Sequence, residues 1–132
     1  MKVLADTSVW SLALRRKATA KMGAAEQRLA ALLSEAITDG RVVIIGPIRQ
    51  ELLSGVKDHA QFEKLRTALE AFRDEPLDRG DYEEAARLYN ICRGVECGPV
   101  DMLICAVAVR RKWRVLANDA GLNKCLEIVS SL

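Results

Sequence analysis

The stretch from Pro99 to Asp119, PVDMLICAVAVRRKWRVLAND, constrains the fold of this chain more than any other. It holds an unbroken apolar run, Met102 to Val109, with Asp101 at its head and Arg110, Arg111, Lys112 and Arg114 at its foot. A run of that kind reads as a helix buried on most of its faces. The basic foot complements the negative end of the helix dipole. Val115-Leu116 follows as a short buried strand, and Asn118-Asp119 comes directly after it. A helix apolar all round needs a sheet to pack on, and the strands must come from elsewhere in the chain.

Two come early. Lys2 to Ala5 (KVLA) reads as a first buried strand, ended by Asp6-Thr7-Ser8. Val9, Trp10, Leu12, Ala13 and Leu14 then recur at helical spacing. Ala24 to Thr38 predicts a helix with a stripe of Leu29, Leu32, Leu33, Ala36 and Ile37, stopped at Asp39-Gly40. Arg41 to Ile45 (RVVII) is β-branched and marks a second buried strand. Gly46-Pro47 opens a helix that carries Glu51 and ends at Gly55. His59 to Phe72 predicts another, with Phe62, Leu65, Leu69 and Phe72 as its apolar face. Glu75-Pro76-Leu77 breaks the pattern around a possible short strand. Asp81 to Arg93 reads as helix, with Ala85, Ala86, Leu88 and Tyr89 as the candidate buried face. After the loop Gly94 to Gly98 and the opening stretch, a short helix Gly121 to Leu126 and a closing strand Ile128-Val129 complete the reading.

Short apolar strands alternating with helices imply a largely parallel sheet covered on both faces. The length of 132 residues fits one domain over the whole chain. Half of the residues are hydrophobic and 29% are charged, as in soluble globular proteins. No apolar run reaches the ~18 residues of a membrane span. Asp6 interrupts the N-terminal apolar residues before a signal-peptide core forms, so the expected location is cytoplasmic. The net charge of +2 does not by itself mark a nucleic-acid binder. Cys92, Cys97, Cys105 and Cys125 lack C-x-x-C spacing, and a reducing cytosol disfavours a disulfide framework. Cys105 reads as core; Cys92 and Cys97 flank a loop and can pair on oxidation.

In doubly wound sheets, ligands bind outside the carboxyl ends of the strands. Four acids fall there: Asp6 after the first strand, Glu51 a helical turn beyond the second, Asp101 at the head of the buried helix, and Asp119 after the last strand. Taken singly, Asp6, Asp101 and Asp119 are also good helix caps, and Glu51 reads as a solvated helix face. Taken together they would converge in one crevice, where two like charges ~4 Å apart repel by about 4 kcal/mol at an effective dielectric near 20. Such a cluster requires a cation or shared protons, and an all-carboxylate set suits Mg²⁺ or Mn²⁺. A calcium loop is absent from the sequence. Zinc is disfavoured, since His59 is the single histidine and reads as an exposed helix start.

Five segments carry a family resemblance: VLADTSVW, IRQELLSG, DYEEAARLY, GPVDMLICAVAV and VLANDAGL. Through them the chain resembles PIN-domain ribonucleases, and more closely the VapC toxins of toxin–antitoxin pairs. The resemblance implies a PIN-like three-layer α/β/α sandwich with a central, mostly parallel sheet of four to five strands. It places the family's four acids on Asp6, Glu51, Asp101 and Asp119, and its hydroxyl on Thr7. It departs at Ala117, where the family often has Thr or Ser, and at Leu122, where it often has Phe; Asn118 is a substitute polar contact. It implies a Mg²⁺- or Mn²⁺-dependent endoribonuclease acting on structured RNA, often tRNA, a homodimer, and inhibition by a small VapB-like antitoxin.

On this reading Asp6, Glu51, Asp101 and Asp119 hold the metal, and Thr7, Ser8 and Asn118 support them by hydrogen bonds. Arg15, Arg16 and Lys17, with Lys21, are the candidate phosphate contacts. Helix faces around Gln50–Leu53 and Phe62–Phe72 either receive a partner or pack on the chain's own sheet. Two alternatives stand beside it. One is a PIN-like RNA- or protein-binding module without turnover. The other is a receiver-type signalling domain, which would want paired acids after the first strand where Thr7 follows Asp6. A D-x-D phosphatase is excluded by Ser8 at the second-acid position.

Overall fold

The computed structural model describes residues 1–14 and 22–132, so the candidate phosphate contacts Arg15, Arg16, Lys17 and Lys21 lie outside the described residues. Among the described residues eleven elements run in the order β1 (Val3–Ala5), α1 (Thr7–Leu14), α2 (Ala24–Thr38), β2 (Val42–Ile44), α3 (Gly46–Ser54), α4 (His59–Leu69), β3 (Arg73–Asp74), α5 (Arg79–Ile91), α6 (Pro99–Arg111), β4 (Arg114–Leu116) and α7 (Ala120–Ser130).

The four strands form one sheet in the order β3-β2-β1-β4, all parallel. Val3 stands opposite Val42 on one side and Arg114 on the other. Right-handed crossovers dictate the layers. The steps β1 to β2 to β3 run in one direction and put α1–α4 on one face. The return from β3 across the sheet to β4 puts α5 and α6 on the other. The three-layer α/β/α expectation holds, with four strands.

The core follows the hydrophobic runs. Val3, Leu4, Ala5, Val43, Ile44 and Ile45 are buried, and Met102 to Val107 of α6 are buried without interruption. Trp10 of α1 meets Phe72 edge to face with ring centroids 5.0 Å apart.

The structure corrects several readings. No strand forms at Ile128-Val129; both lie in α7, where Leu122, Cys125 and Val129 share a buried helical stripe. Helical burial outweighs the β-propensity of two adjacent residues. The short strand lies at Arg73–Asp74, just before Glu75-Pro76-Leu77, and is a polar edge. Ile37 is exposed. On α5, Ala85 and Leu88 are buried as expected, but Ala86 and Tyr89 face solvent. Asp81 takes their place in the interior, with no exposed surface.

Asp81 is buried because the foot of α6 comes to meet it. Its Oδ1 accepts from Arg110 Nη1 at 2.6 Å, and its Oδ2 accepts from Arg111 Nη2. The Asp78 N–H donates to the same Oδ2 at 2.9 Å, while the Asp81 N–H donates to Asp78 Oδ1 at 3.0 Å, a reciprocal cap on α5. Gly80 leaves room for this network, since a Cβ there would lie 2.4 Å from the Arg110 guanidinium and displace it. Arg110 and Arg111 therefore do more than complement a helix dipole: they clamp α5 to α6. Lys112 ends α6 in the left-handed conformation, φ 56°.

The cysteines also depart from expectation. Cys97 is joined to Cys125, 28 residues on, in a disulfide. Cys92, at the end of α5, is free and buried, so the expected pairing of Cys92 with Cys97 is not the one formed. Cys105 is buried as read, and its thiol is pushed up to about 12 by burial and by the neighbouring Cys92 and Asp101.

Candidate metal centre at the carboxyl edge of the sheet

The parallel sheet brings the four acids to one edge. Asp6 occupies the single step between β1 and α1 and is 5% exposed. Its N–H continues the sheet pairing to the Leu116 carbonyl at 3.0 Å, which fixes its backbone against β4. Its Oδ1 accepts from Ser8 Oγ at 2.5 Å and from the Val9 N–H at 3.1 Å. Glu51 lies in the second turn of α3, and its Oε1 accepts from Thr7 Oγ1 at 2.9 Å. Asp101 reaches back from the first turn of α6 to accept the Gly98 N–H on Oδ2 at 3.0 Å. Asp119 caps α7, accepting the Leu122 N–H on Oδ2 at 2.8 Å.

One pattern unites these contacts. In each carboxylate one oxygen is held by a protein donor and the other accepts no hydrogen bond from the described residues. None of the four takes part in an ion pair among the described residues. The cap reading and the cluster reading are thus compatible: capping uses one oxygen of Asp6, Asp101 and Asp119, and leaves one over.

Electrostatics ties the four together. Burial raises the Asp6 carboxyl above the usual carboxylate range, against the bonds from Ser8 and Val9, and the charges of Asp101 and Asp119 raise it further. Burial likewise raises Asp101, against its bond to Gly98, and the charges of Asp119 and Glu51 add to it. Asp6 thus feels Asp101 and Asp119, and Asp101 feels Asp119 and Glu51, so the crevice holds a concentrated negative field with no ion-pair partner among the described residues.

Thr7 and Ser8 sit where their hydroxyls serve two different acids, Glu51 and Asp6. Asn118 reaches the same group through its backbone, whose N–H donates to Ser8 Oγ at 3.2 Å. Its side chain donates to Glu26 Oε2 at 3.4 Å. Glu26 does not emerge from the sequence pattern; its one signal is an acid in the first turn of α2, and its approach to Asn118 spans 92 residues. Gly121 is also silent in sequence. A Cβ there would stand 2.2 Å from the Glu96 carbonyl oxygen, so the loop before α6 rests directly on the first turn of α7.

The donor set suits a hard divalent cation: oxygens only, four negative charges, and one uncommitted oxygen on each. Among the described residues no three His, Cys, Asp or Glu side chains stand close enough to enclose an ion as they are placed. The group is open.

The model of the PIN domain matches residues 3–125. The chain belongs to the PIN-domain family. PIN domains are in general metal-dependent nucleases, which agrees with an oxygen-only acidic crevice at this edge. A search of curated proteins finds no match. Among solved structures, this PIN domain is similar to the crystal structure of FitAcB from Neisseria gonorrhoeae. The two share 24% identity over 95% of this chain and 93% of that one, with a TM-score of 0.69, a likeness of fold. No described helix of this PIN domain is long and apolar enough to cross a membrane.

Proposed function

We propose that this PIN domain is a Mg²⁺- or Mn²⁺-dependent endoribonuclease, the toxin of a VapC-type toxin–antitoxin pair. Its substrate on this reading is structured RNA, tRNA foremost, and its partners are a VapB-like antitoxin and a second copy of itself. The observation that carries the catalytic part is the set of four carboxylates, each with one tethered and one uncommitted oxygen, in a shared field at the carboxyl edge. The toxin part rests on the resemblance of VLADTSVW and GPVDMLICAVAV to that group.

Asp6, Glu51, Asp101 and Asp119 would hold the cation. When bound, the cation offsets phosphodiester charge and supplies an acidified water for attack on phosphorus. The chain's own contribution is orientation. Ser8 and the Val9 N–H fix the rotamer of Asp6, Thr7 fixes Glu51, and the Gly98 and Leu122 amides fix Asp101 and Asp119. The first turns of α1, α6 and α7 meet at this edge, and their positive ends favour both carboxylates and an incoming phosphate. No protein nucleophile is needed.

The test is cleavage of total tRNA by the purified protein with Mg²⁺, Mn²⁺ or EDTA, beside Asp101→Asn. Discrete metal-dependent fragments, absent in the variant, support the reading, and end-mapping gives the target. Cation binding without cleavage of tRNA refutes tRNA as the substrate, and the same assay on total cellular RNA then separates a narrowly specific enzyme from the binding module without turnover. Neither binding nor cleavage returns the acids to helix caps alone.

A further inference from the structure

Two of the four acids, Asp101 and Asp119, sit at the first turns of neighbouring helices, and the contacts between those turns are specific. Cys97 immediately precedes Gly98, the residue whose N–H Asp101 holds. Its sulfur is bonded to Cys125, two turns into the helix that Asp119 caps. The same sulfur lies 3.2 Å from the Gly121 carbonyl oxygen, an acceptor for Cys97 when it is a thiol. Gly121 in turn lets the Glu96 carbonyl approach closer than any side chain would allow. The sulfur pair and this backbone contact thus join the loop that ends at Gly98, which Asp101 holds, to the helix that Asp119 caps.

We propose that Cys97, Cys125 and Gly121 are positioning residues that set the separation of Asp101 and Asp119, and that the thiol–disulfide state of the cysteine pair alters it. The inference rests on the proposed metal centre for its functional meaning. In the oxidised state a covalent link fixes the loop before α6 to α7. In the reduced state one S–H···O contact to Gly121 replaces it, a weaker tie that leaves the turns free to separate. The exchange balances with a small-molecule disulfide as oxidant. Cys97–SH and Cys125–SH give up two electrons and two protons, forming their S–S bond, while the disulfide RSSR is cleaved to two RSH. Access is available: Cys97 is half-buried and lines a cavity of about 170 Å³ with Tyr89, Arg93 and Met102. Cys125 is fully buried, so attack begins at Cys97.

The test compares the protein oxidised by glutathione disulfide with the same protein reduced. Mass spectrometry of peptides establishes the Cys97–Cys125 link. Amide exchange at Gly98 and Leu122, the two N–H groups that carry the acids, is read without metal. Mn²⁺ affinity is read by calorimetry. We expect both amides to exchange several-fold faster on reduction, Ile104 and Cys105 of α6 to be unchanged, and Mn²⁺ to bind roughly tenfold more weakly. Cys97→Ala/Cys125→Ala should match the reduced protein and ignore the oxidant. Should that variant fail to fold, reduction of the wild type carries the comparison alone. Failure to form the link, or exchange at both amides that is the same in the two states, overturns the inference. Equal Mn²⁺ affinity in both states also overturns it and leaves the metal centre standing. Absence of Mn²⁺ binding in either state refutes the metal centre, while the exchange data still decide the positioning.

Discussion

Replacing Asp81 by Ala should unfold this domain sooner than any single change at the acidic edge. The carboxylate has no exposed surface and accepts from Arg110, Arg111 and the Asp78 N–H at once. Removing one partner of a buried ion pair costs 3–5 kcal/mol, because the other is left uncompensated. Here Arg110 and Arg111 keep 36% and 22% of their side-chain surface exposed, and Arg110 keeps Asp78, so water and a second carboxylate absorb part of the loss. The expected destabilisation is about 3 kcal/mol. For a domain of this size that is a fall in Tm of roughly 10 °C. Asp81→Asn, which keeps the shape and one acceptor, should lose about half as much. The pH dependence gives a second check. Burial pushes the Asp81 carboxyl up, but the Asp78 N–H and the two guanidinium groups together hold it below its usual value. A depressed folded pKa means the contribution is complete above the unfolded value, about 3.9, and is lost as pH falls through the folded one. The gap between wild type and Asp81→Asn in urea denaturation should therefore be full at pH 7 and shrink below pH 4. A loss under 1 kcal/mol for Asp81→Ala at pH 7, or a gap that widens in acid, would refute the clamp.

The acidic edge behaves in the opposite sense. Asp6 and Asp101 have raised carboxyls, so their stabilising contribution is present in acid and lost as pH rises through the folded values. Metal-free protein should accordingly gain stability from these two acids as pH falls through their raised folded values. Asp101→Asn should raise the metal-free Tm at pH 7 and diminish the further rise given by Mg²⁺; thermal melts with and without Mg²⁺ read both. Ser8→Ala removes the donor to Asp6 and the acceptor for the Asn118 N–H, and should weaken Mn²⁺ binding by 10- to 100-fold in calorimetry, with partial rescue by Thr. Lys112→Gly should stabilise the protein by about 0.5–1 kcal/mol in urea titration, since a left-handed helix end suits glycine.

What the sequence disclosed depended on how local the determining physics was. The spans of α2, α3 and α6 follow from periodicity and from Pro47, Gly55 and Pro99, all read within a few residues. The places of Asp6, Glu51, Asp101 and Asp119 follow from one topological rule, that successive parallel strands end on the same edge. β3 escaped because Arg73-Asp74 is a polar edge strand of two residues, recognisable through its pairing with Val43 and Ile44 alone. Asp81 escaped because its burial depends on two arginines 29 and 30 residues away. Glu26 and Gly121 likewise owe their places to chain segments that meet only in the folded protein. Ile128-Val129 misled because two β-branched residues look the same in a strand and on the buried stripe of a helix.

The strand order has a bearing on how the protein comes into being. β1 lies inside the sheet, yet of the four described strands it is made first, and its neighbour β4 is made after the other three. Each pairing of β1 closes a long loop, from Val3 to Val42 and from Val3 to Arg114, which slows folding relative to a hairpin protein. A nascent chain that has emerged only as far as α5 carries Asp6 and Glu51 but neither Asp101 nor Asp119. It also leaves one edge of β1 bare. Hydrolytic capacity, on the proposed reading, is therefore withheld during translation and appears only after β4 docks beside the first strand.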